Sequence, residues 1–305
     1  MADFRRLPTL TQLRHLLSLE EHRHFGRAAA ACFVTQSTLS ASIKELEVTL
    51  GQQIMERGKR RVLPTPIGEA VIARARNIIN DTEDLVDLVK ADRLGLSGPL
   101  RLGVIPTISP FLLPRVLPEL RKAYPDLRLF LEEAQTASLI RLLRQGDLDL
   151  ILMAFPYDCI GLHVWEFALD SLWVVLPEGH PLTKLERVQT SDVVGEELML
   201  LRDGHCLRDH VLSSFSNQDV KTISYATSLS TLVQMVANGL GITLLPKMAL
   251  DGGLLAGTRL QSRPLDGSGG ERRIGICWRP SSPRASDFRI LGGFFRDELA
   301  TPIPI

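Results

Sequence analysis

The chain has 305 residues, 45% of them hydrophobic, which is enough for two or three folded units and too apolar for wholesale disorder. Thirty-five Lys/Arg offset thirty-five Asp/Glu, so net charge by itself selects no class of partner. No apolar run approaches the roughly 18 residues of a helical membrane span, and the opening MADFRRLPTLTQLRHLL lacks the apolar core of a secretory signal.

The distribution of charge is more informative than its sum. Residues 1–65 carry ten Lys/Arg against six acids, while the rest of the chain carries 25 against 29. A small basic unit on a larger acidic one fits a polyanion-binding head on a different kind of body. The four cysteines, Cys32, Cys159, Cys206 and Cys277, are scattered without CxxC or Cys/His spacing. They predict neither a disulfide framework nor a metal site, and no cofactor is expected. The expected compartment is the reducing cytoplasm, where a functional thiol is catalytic or redox-sensing.

In chain order, Leu10–Glu21 has helical apolar spacing, and Arg27–Cys32 is a short Ala-rich helix. Thr35 can cap a third helix running from Gln36 to Leu46, with Leu39, Ile43 and Leu46 on its inner face. The outer face and N-terminal end of that helix are Gln, Ser and Thr rather than Glu/Lys pairs. Small hydroxyls and an amide suit close approach to base edges and phosphates. A short helix, a tight turn and a polar-faced second helix make a helix-turn-helix, whose second helix enters the major groove. Gly58–Thr65, with Lys59, Arg60 and Arg61, reads as a basic hairpin wing over a phosphate backbone. The predicted double-stranded DNA contacts are Arg27, Thr35, Gln36, Ser37, Thr38, Ser40, Lys44, Lys59, Arg60 and Arg61.

A long helix follows from Ile67 to about Arg93, with Val71/Ile78/Leu85 and Ile72/Ile79/Val86 each repeating every seven residues. Such a repeat suits a helix–helix dimer seam, and packing on its own domain is the other explanation. Residues Phe25–Gly68 resemble the N-terminal domain of LysR-type transcriptional regulators. The resemblance rests on the Ala-rich second helix, the TQSxLS opening of the third, the IxxLE inner face and the LxPTxxG wing exit. It implies a winged helix-turn-helix over residues 1–66 and a dimerisation helix over 67–93.

Beyond the linker GLSGP (95–99), strand-like Leu100–Ile105 and Leu127–Leu131 alternate with helical Leu112–Tyr124 and Ser138–Gln145, followed by apolar Leu148–Ala154. The alternation predicts a parallel α/β sheet that binds ligand at the carboxyl ends of its strands, where Thr107 and Thr136 fall. A second α/β unit begins at Leu172–Leu176 and includes Leu198–Leu201, Ser230–Asn238 and Gly241–Pro246. Strand Ile274–Trp278 and helix Ser286–Leu299 close the chain. The family resemblance extends over this region, implying two periplasmic-binding-protein-like subdomains within 94–305. The first takes in about 99–170 and 274–305, the second about 171–273. It also implies homodimers that pair into homotetramers, and contact with RNA polymerase.

Within Leu201–Asp209, Gly204 permits a sharp turn and Cys206 opens a helical stretch, with His205 beside it and Arg208 two residues on. A thiol so placed is expected to have a lowered pKa, and only the thiolate reacts with peroxide. The run GHCLRD, with IPT (105–107) and EAQT (133–136), is similar to the OxyR-like, peroxide-sensing branch of the family. That resemblance implies that Cys206 is the redox centre and that Thr107 and Thr136 polarise hydrogen peroxide. His205 and Arg208 then tune the site, and Asp209 lies with them. The branch carries a resolving cysteine nine residues after the first, and this chain has Phe215 there, between Ser214 and Ser216. A local disulfide is therefore impossible. Cys206 must stop at sulfenic acid, form a mixed disulfide or reach Cys159 or Cys277, or else it is no redox switch and the regulator answers to another small effector or acts constitutively. Cys277, in an apolar strand, and Cys159, in a loop after a strand, read as structural, and Cys32 is expected to serve packing. No GxSxG, P-loop or dinucleotide fingerprint is present, and an enzyme is not expected.

Overall fold

The computed structural model describes residues 7–57, 62–90, 96–215, 221–267 and 270–300. The chain divides into two compact units, Met1–Asp92 and Arg93–Ile305. No helix among the described residues is long and apolar enough to cross a membrane.

The first unit contains α1 (Leu10–His22), α2 (Phe25–Ala31), α3 (Gln36–Leu50), the hairpin β1 (Met55–Arg57)–β2 (Val62–Pro64) and α4 (Pro66–Lys90). Its helix starts are set locally. Thr9 and Gln12 form a reciprocal capping box on α1, and Thr35 accepts from Thr38 N at 3.2 Å to cap α3. Leu39, Ile43 and Leu46 are fully buried against Leu16, Leu19 and Ala28. At about 1.5–3 kcal/mol per buried aliphatic side chain, that stripe orients α3 and leaves its polar face outward. Gly68 has a steric reason, since a Cβ there would lie 2.0 Å from the Ile54 carbonyl oxygen.

The seven-residue repeat of α4 serves two purposes. Ile72 and Ile79, with Ala75, pack into the head's own core, whereas Ile78, Leu85 and Val86 are exposed. The head therefore accounts for part of the periodicity, and the exposed residues remain for a partner. Lys59, Arg60 and Arg61 of the wing, and residues 91–95 of the linker, lie outside the described residues.

The second unit runs β3 (Gly98–Val104), α5 (Ser109–Ala123), β4 (Leu127–Glu133), α6 (Thr136–Gln145), β5 (Leu150–Phe155) and β6 (His163–Leu176). It continues with β7 (Val188–Gln189), α7 (Thr190–Val193), β8 (Leu198–Leu201), α8 (Cys206–Ser213), β9 (Thr222–Ala226) and α9 (Leu229–Ala237). β10 (Thr243–Pro246), α10 (Lys247–Asp251), β11 (Gln261–Asp266), β12 (Glu271–Trp278) and α11 (Ala285–Ala300) complete it. β3 pairs in parallel with β4 and β5, as does β8 with β9. The sheet as a whole is mixed rather than parallel, because β12 runs antiparallel to both β5 and β6, and β10 and β11 run antiparallel to β6.

β6 spans 14 residues, not the five of Leu172–Leu176 that the apolar pattern marked. Its first half is half-exposed and includes Glu166 and a 67% exposed Leu169, so it lacks a buried strand's apolar run. Two hydrophobic cores meet along it. One gathers β3, β5, α5, α6, β12 and α11, with Ala168 packed against it; the other begins at Leu172 and gathers β8, α8, α9 and β10.

Candidate functional site

Cys206 opens α8, preceded by Gly204 at φ +94°, in the left-handed region that favours glycine. A Cβ at residue 204 would also lie 2.5 Å from Gln135 Oε1, so the turn presses on the start of α6. This seats Cys206 across the boundary between the two cores. Leu207, Val211 and Phe215 pack in the second core, whereas Cys206, 3% exposed, packs in the first. The Thr136 hydroxyl, on the first residue of α6, is placed to donate to the sulfur in its thiolate form. Phe215, in the resolving-cysteine position, is buried in the second core.

Under this contact lies an ion pair that local sequence reasoning missed. Arg272 in β12 is fully buried and faces Asp170 of β6 in register. Its Nε and Nη2 donate to Asp170 Oδ2 at 3.0 and 2.8 Å. Nη1 donates to Thr107 Oγ1 at 2.7 Å and Nη2 to the Thr107 carbonyl at 3.1 Å. Asp170 Oδ1 accepts from Met248 N at 3.0 Å. Glu271-Arg272-Arg273 reads as a solvated strand end, yet strand parity puts Arg272 on the same face as Ile274 and Ile276. That parity was the available signal.

The expected acidic thiol is corrected by the fold. Burial pushes the Cys206 pKa up, and this outweighs the opposing influence of the Thr136 hydrogen bond and the Arg272 charge. Asp209 adds to the rise. The cation acting on the thiol is Arg272, not its near neighbour in sequence. Arg208 turns to Asp203 at 2.8 Å and Asp209 at 3.7 Å, and stacks over Tyr225. His205 is buried beside the thiol, and burial lowers its pKa. Thr107 and Thr136 are both 2% exposed, and Thr107 is held by Arg272.

In the head, Thr35, Gln36, Ser37 and Thr38 are exposed at the N-terminus of α3. Thr35 Oγ1 links to Ser37 Oγ and Thr38 Oγ1, both at 2.8 Å, which pre-sets that hydroxyl cluster. Lys44 and Arg27 are exposed, and Arg27 donates to the His22 carbonyl at 2.8 Å. Ser40 is half-buried, which narrows its access to a groove. Cys32 is half-buried and packs against the head's core. No three His, Cys, Asp or Glu side chains gather as metal ligands among the described residues.

Three buried histidines make stability depend on pH. Burial lowers the pKa of His15, of His205 and of His210, the last against a hydrogen bond to the Pro156 carbonyl. Each folded-state value lies below the ordinary 6.5, so the unfolded chain binds more protons between the two. The stability contributed is complete above that value and is lost as pH falls. Urea midpoints should therefore be level between about pH 7 and 8 and decline below about 6.5. A midpoint unchanged down to about pH 5 would show that the three rings protonate without cost.

A helix-turn-helix head and a two-core α/β body, with one cysteine-bearing helix packed into both cores, define a DNA-binding transcriptional regulator with a sensor domain. Residues 10–69 match the bacterial regulatory helix-turn-helix protein, lysR family, and residues 93–300 match the LysR substrate binding domain. The chain belongs to the LysR family of transcriptional regulators. It is 40% identical to HTH-type transcriptional regulator EstR of Acinetobacter baylyi, over 97% of this chain and 98% of that one. It is 36% identical to the DNA-binding transcriptional dual regulator OxyR of Escherichia coli, over 95% of each. Among solved structures it resembles a full-length OxyR cysteine-to-aspartate variant from Pseudomonas aeruginosa, with TM-score 0.81 and 35% identity over 95% of each chain. A peroxide-bound OxyR cysteine-to-serine mutant of Corynebacterium glutamicum gives TM-score 0.67 and 31% identity, over 98% of this chain and 95% of that one.

Proposed function

We propose that this regulator senses hydrogen peroxide through a single cysteine, Cys206, and that residues 1–66 read DNA, 67–93 dimerise and 94–305 sense. The observation that carries the reading is that Cys206 packs in one core while Leu207 and Val211 of the same helix pack in the other. Peroxide oxidises the thiolate: sulfur attacks one oxygen, the O–O bond breaks, and hydroxide leaves to be protonated to water. The product, sulfenic acid, puts a hydroxyl where a thiol was buried. Burying a hydroxyl without a partner costs about 1–3 kcal/mol, the order of bias that shifts a two-state equilibrium. Oxidation thus favours withdrawing α8 from the first core, with no disulfide needed. Thr107, Thr136, His205 and Asp209 border the reaction, Arg272 steadies the thiolate as it forms, and Arg208 braces the helix from outside.

The protein acts by binding rather than turnover, in the cytoplasm where its DNA partner lies. The exposed Ile78, Leu85 and Val86 of α4, and Phe130 and Leu131 on edge strand β4, offer two apolar surfaces for a tetramer built as a pair of dimers. RNA polymerase is the partner through which a promoter-bound regulator activates. A second reading, a LysR-type regulator with another small effector, is favoured by the raised thiol pKa and by Phe215. A cavity of about 420 Å³ edged by Arg115, Phe167, Asp170, Lys247, Met248 and Arg296 would suit such an effector. It shares Asp170 with the Arg272–Thr107 network.

Intact-mass analysis with a sulfenic-acid trap separates the two. Under the first reading, low peroxide gives one trapped adduct on Cys206, absent in Cys206→Ser, and a changed DNA footprint. The adduct should form faster as pH rises, because the thiol sits above its ordinary range. A Cys206 that stays unmodified while the footprint is unchanged would refute peroxide sensing and point to the cavity.

A further inference from the structure

Away from Cys206, two more cysteines come together. β5 and β6 flank β12 on either side and both run antiparallel to it. β5 ends at Phe155, opposite Arg273, and β6 begins at His163, opposite Trp278. The connection 156–162 therefore travels along a face of β12 from one end to the other. Cys159 lies midway along it and packs against the core that holds Cys277 of β12, close enough for each thiol to act on the other's titration. A third sulfur, Met153 Sδ, lies 3.7 Å from Cys277 Sγ. Arg144 of α6 pins the crossing loop by donating to the Ile160 carbonyl at 3.0 Å.

The two thiols are chemically unequal. The interaction with Cys277 lowers the Cys159 pKa; the Arg144 charge helps, against burial and Asp158. The same interaction, with burial, pushes Cys277 well up. Cys159 is also half-buried where Cys277 is fully buried. A more acidic, more accessible thiol in contact with a protonated buried one is the arrangement of an attacking and a resolving cysteine.

We propose that Cys159 and Cys277 are a second redox pair, closed to a disulfide by hydrogen peroxide independently of Cys206. The Cys159 thiolate attacks a peroxide oxygen, the O–O bond breaks, and the departing hydroxide takes up a proton as water. Cys277 sulfur then attacks the resulting sulfenic sulfur and the S–O bond breaks. Hydroxide leaves with the Cys277 proton as a second water. Two thiols and one peroxide become one disulfide and two waters, the two electrons lost by sulfur reducing the peroxide.

The pair is wired to the first site. Pro156, at the start of the same loop, accepts from His210 Nε2 in α8 at 3.1 Å. Cross-linking the loop to β12 thus bears on the helix that carries Cys206.

The test uses full-length Cys206→Ser protein treated with hydrogen peroxide, then intact-mass measurement and peptide mapping without reductant. The expected result is a loss of two hydrogens and a peptide linking Cys159 to Cys277 within one chain. Adding Cys159→Ser should remove both signals, and since that residue is only half-buried the variant should still fold. Adding Cys277→Ser should instead leave a trappable sulfenic acid on Cys159. Thiols that keep their hydrogens, oxygen additions to Cys159 without a link, or a link to Cys32 would each overturn the pair. None of these outcomes bears on whether Cys206 is oxidised in the unaltered chain, which is read from its own adduct.

Discussion

Replacing Arg272 by Met is expected to lower the unfolding free energy of the sensor unit by about 3–5 kcal/mol. Asp170, 5% exposed, would keep one donor, Met248 N, and lose the cation that satisfies its other oxygen. Thr107 would lose both contacts that hold its hydroxyl and carbonyl. Denaturant unfolding measures the loss, and the double variant Arg272→Met/Asp170→Leu should regain most of it, since a paired apolar replacement leaves no buried charge. Reactivity should not be regained with it. Without the Arg272 charge the Cys206 thiol rises further, so alkylation at a fixed neutral pH should slow in both variants. An unchanged midpoint in Arg272→Met would mean that Asp170 is not held by this contact.

The second large effect is expected in the head. Gln36→Ala should weaken operator binding by about 1–3 kcal/mol, roughly 5- to 150-fold in Kd, and relax base preference at one position. A glutamine amide at the exposed start of a recognition helix can bond an adenine edge with both its atoms. Folding stability should be unaffected, because Gln36 is exposed and the cap belongs to Thr35. Lys44→Ala should act differently, weakening all sequences alike and reducing the salt slope by about one. Binding titrations on an operator and its single-base variants, at two salt concentrations, distinguish them. A uniform loss for Gln36→Ala would remove it from base recognition.

Much of the site was legible where the cause is local. The Thr35 cap, the buried stripe of Leu39, Ile43 and Leu46, and the left-handed turn at Gly204 follow from spacing and backbone preference within a few residues. The Cys206 acidity was inferred from the same local logic and came out with the wrong sign. A helix N-terminus and nearby charges favour a thiolate, but the dominant influence is burial, contributed by residues of the other core. Arg208 illustrates the same limit: adjacent in sequence, it faces Asp203 and Tyr225.

By itself the sequence determined the helical head with its polar reading face, the long helix, the α/β body and the absence of a resolving cysteine at residue 215. These rest on periodicity, caps and identity, which act over short stretches of chain. Only the tertiary structure decided which charge serves the cysteine, because Arg272 meets Asp170 across 102 residues of sequence. It alone divided the α4 repeat between the head's core and the exposed surface. It also brought Cys159 over Cys277, because the β5–β6 connection must cross the strand inserted between them. Burial and long-range pairing depend on which strands become neighbours, and strand order is a property of the assembled sheet rather than of any one segment.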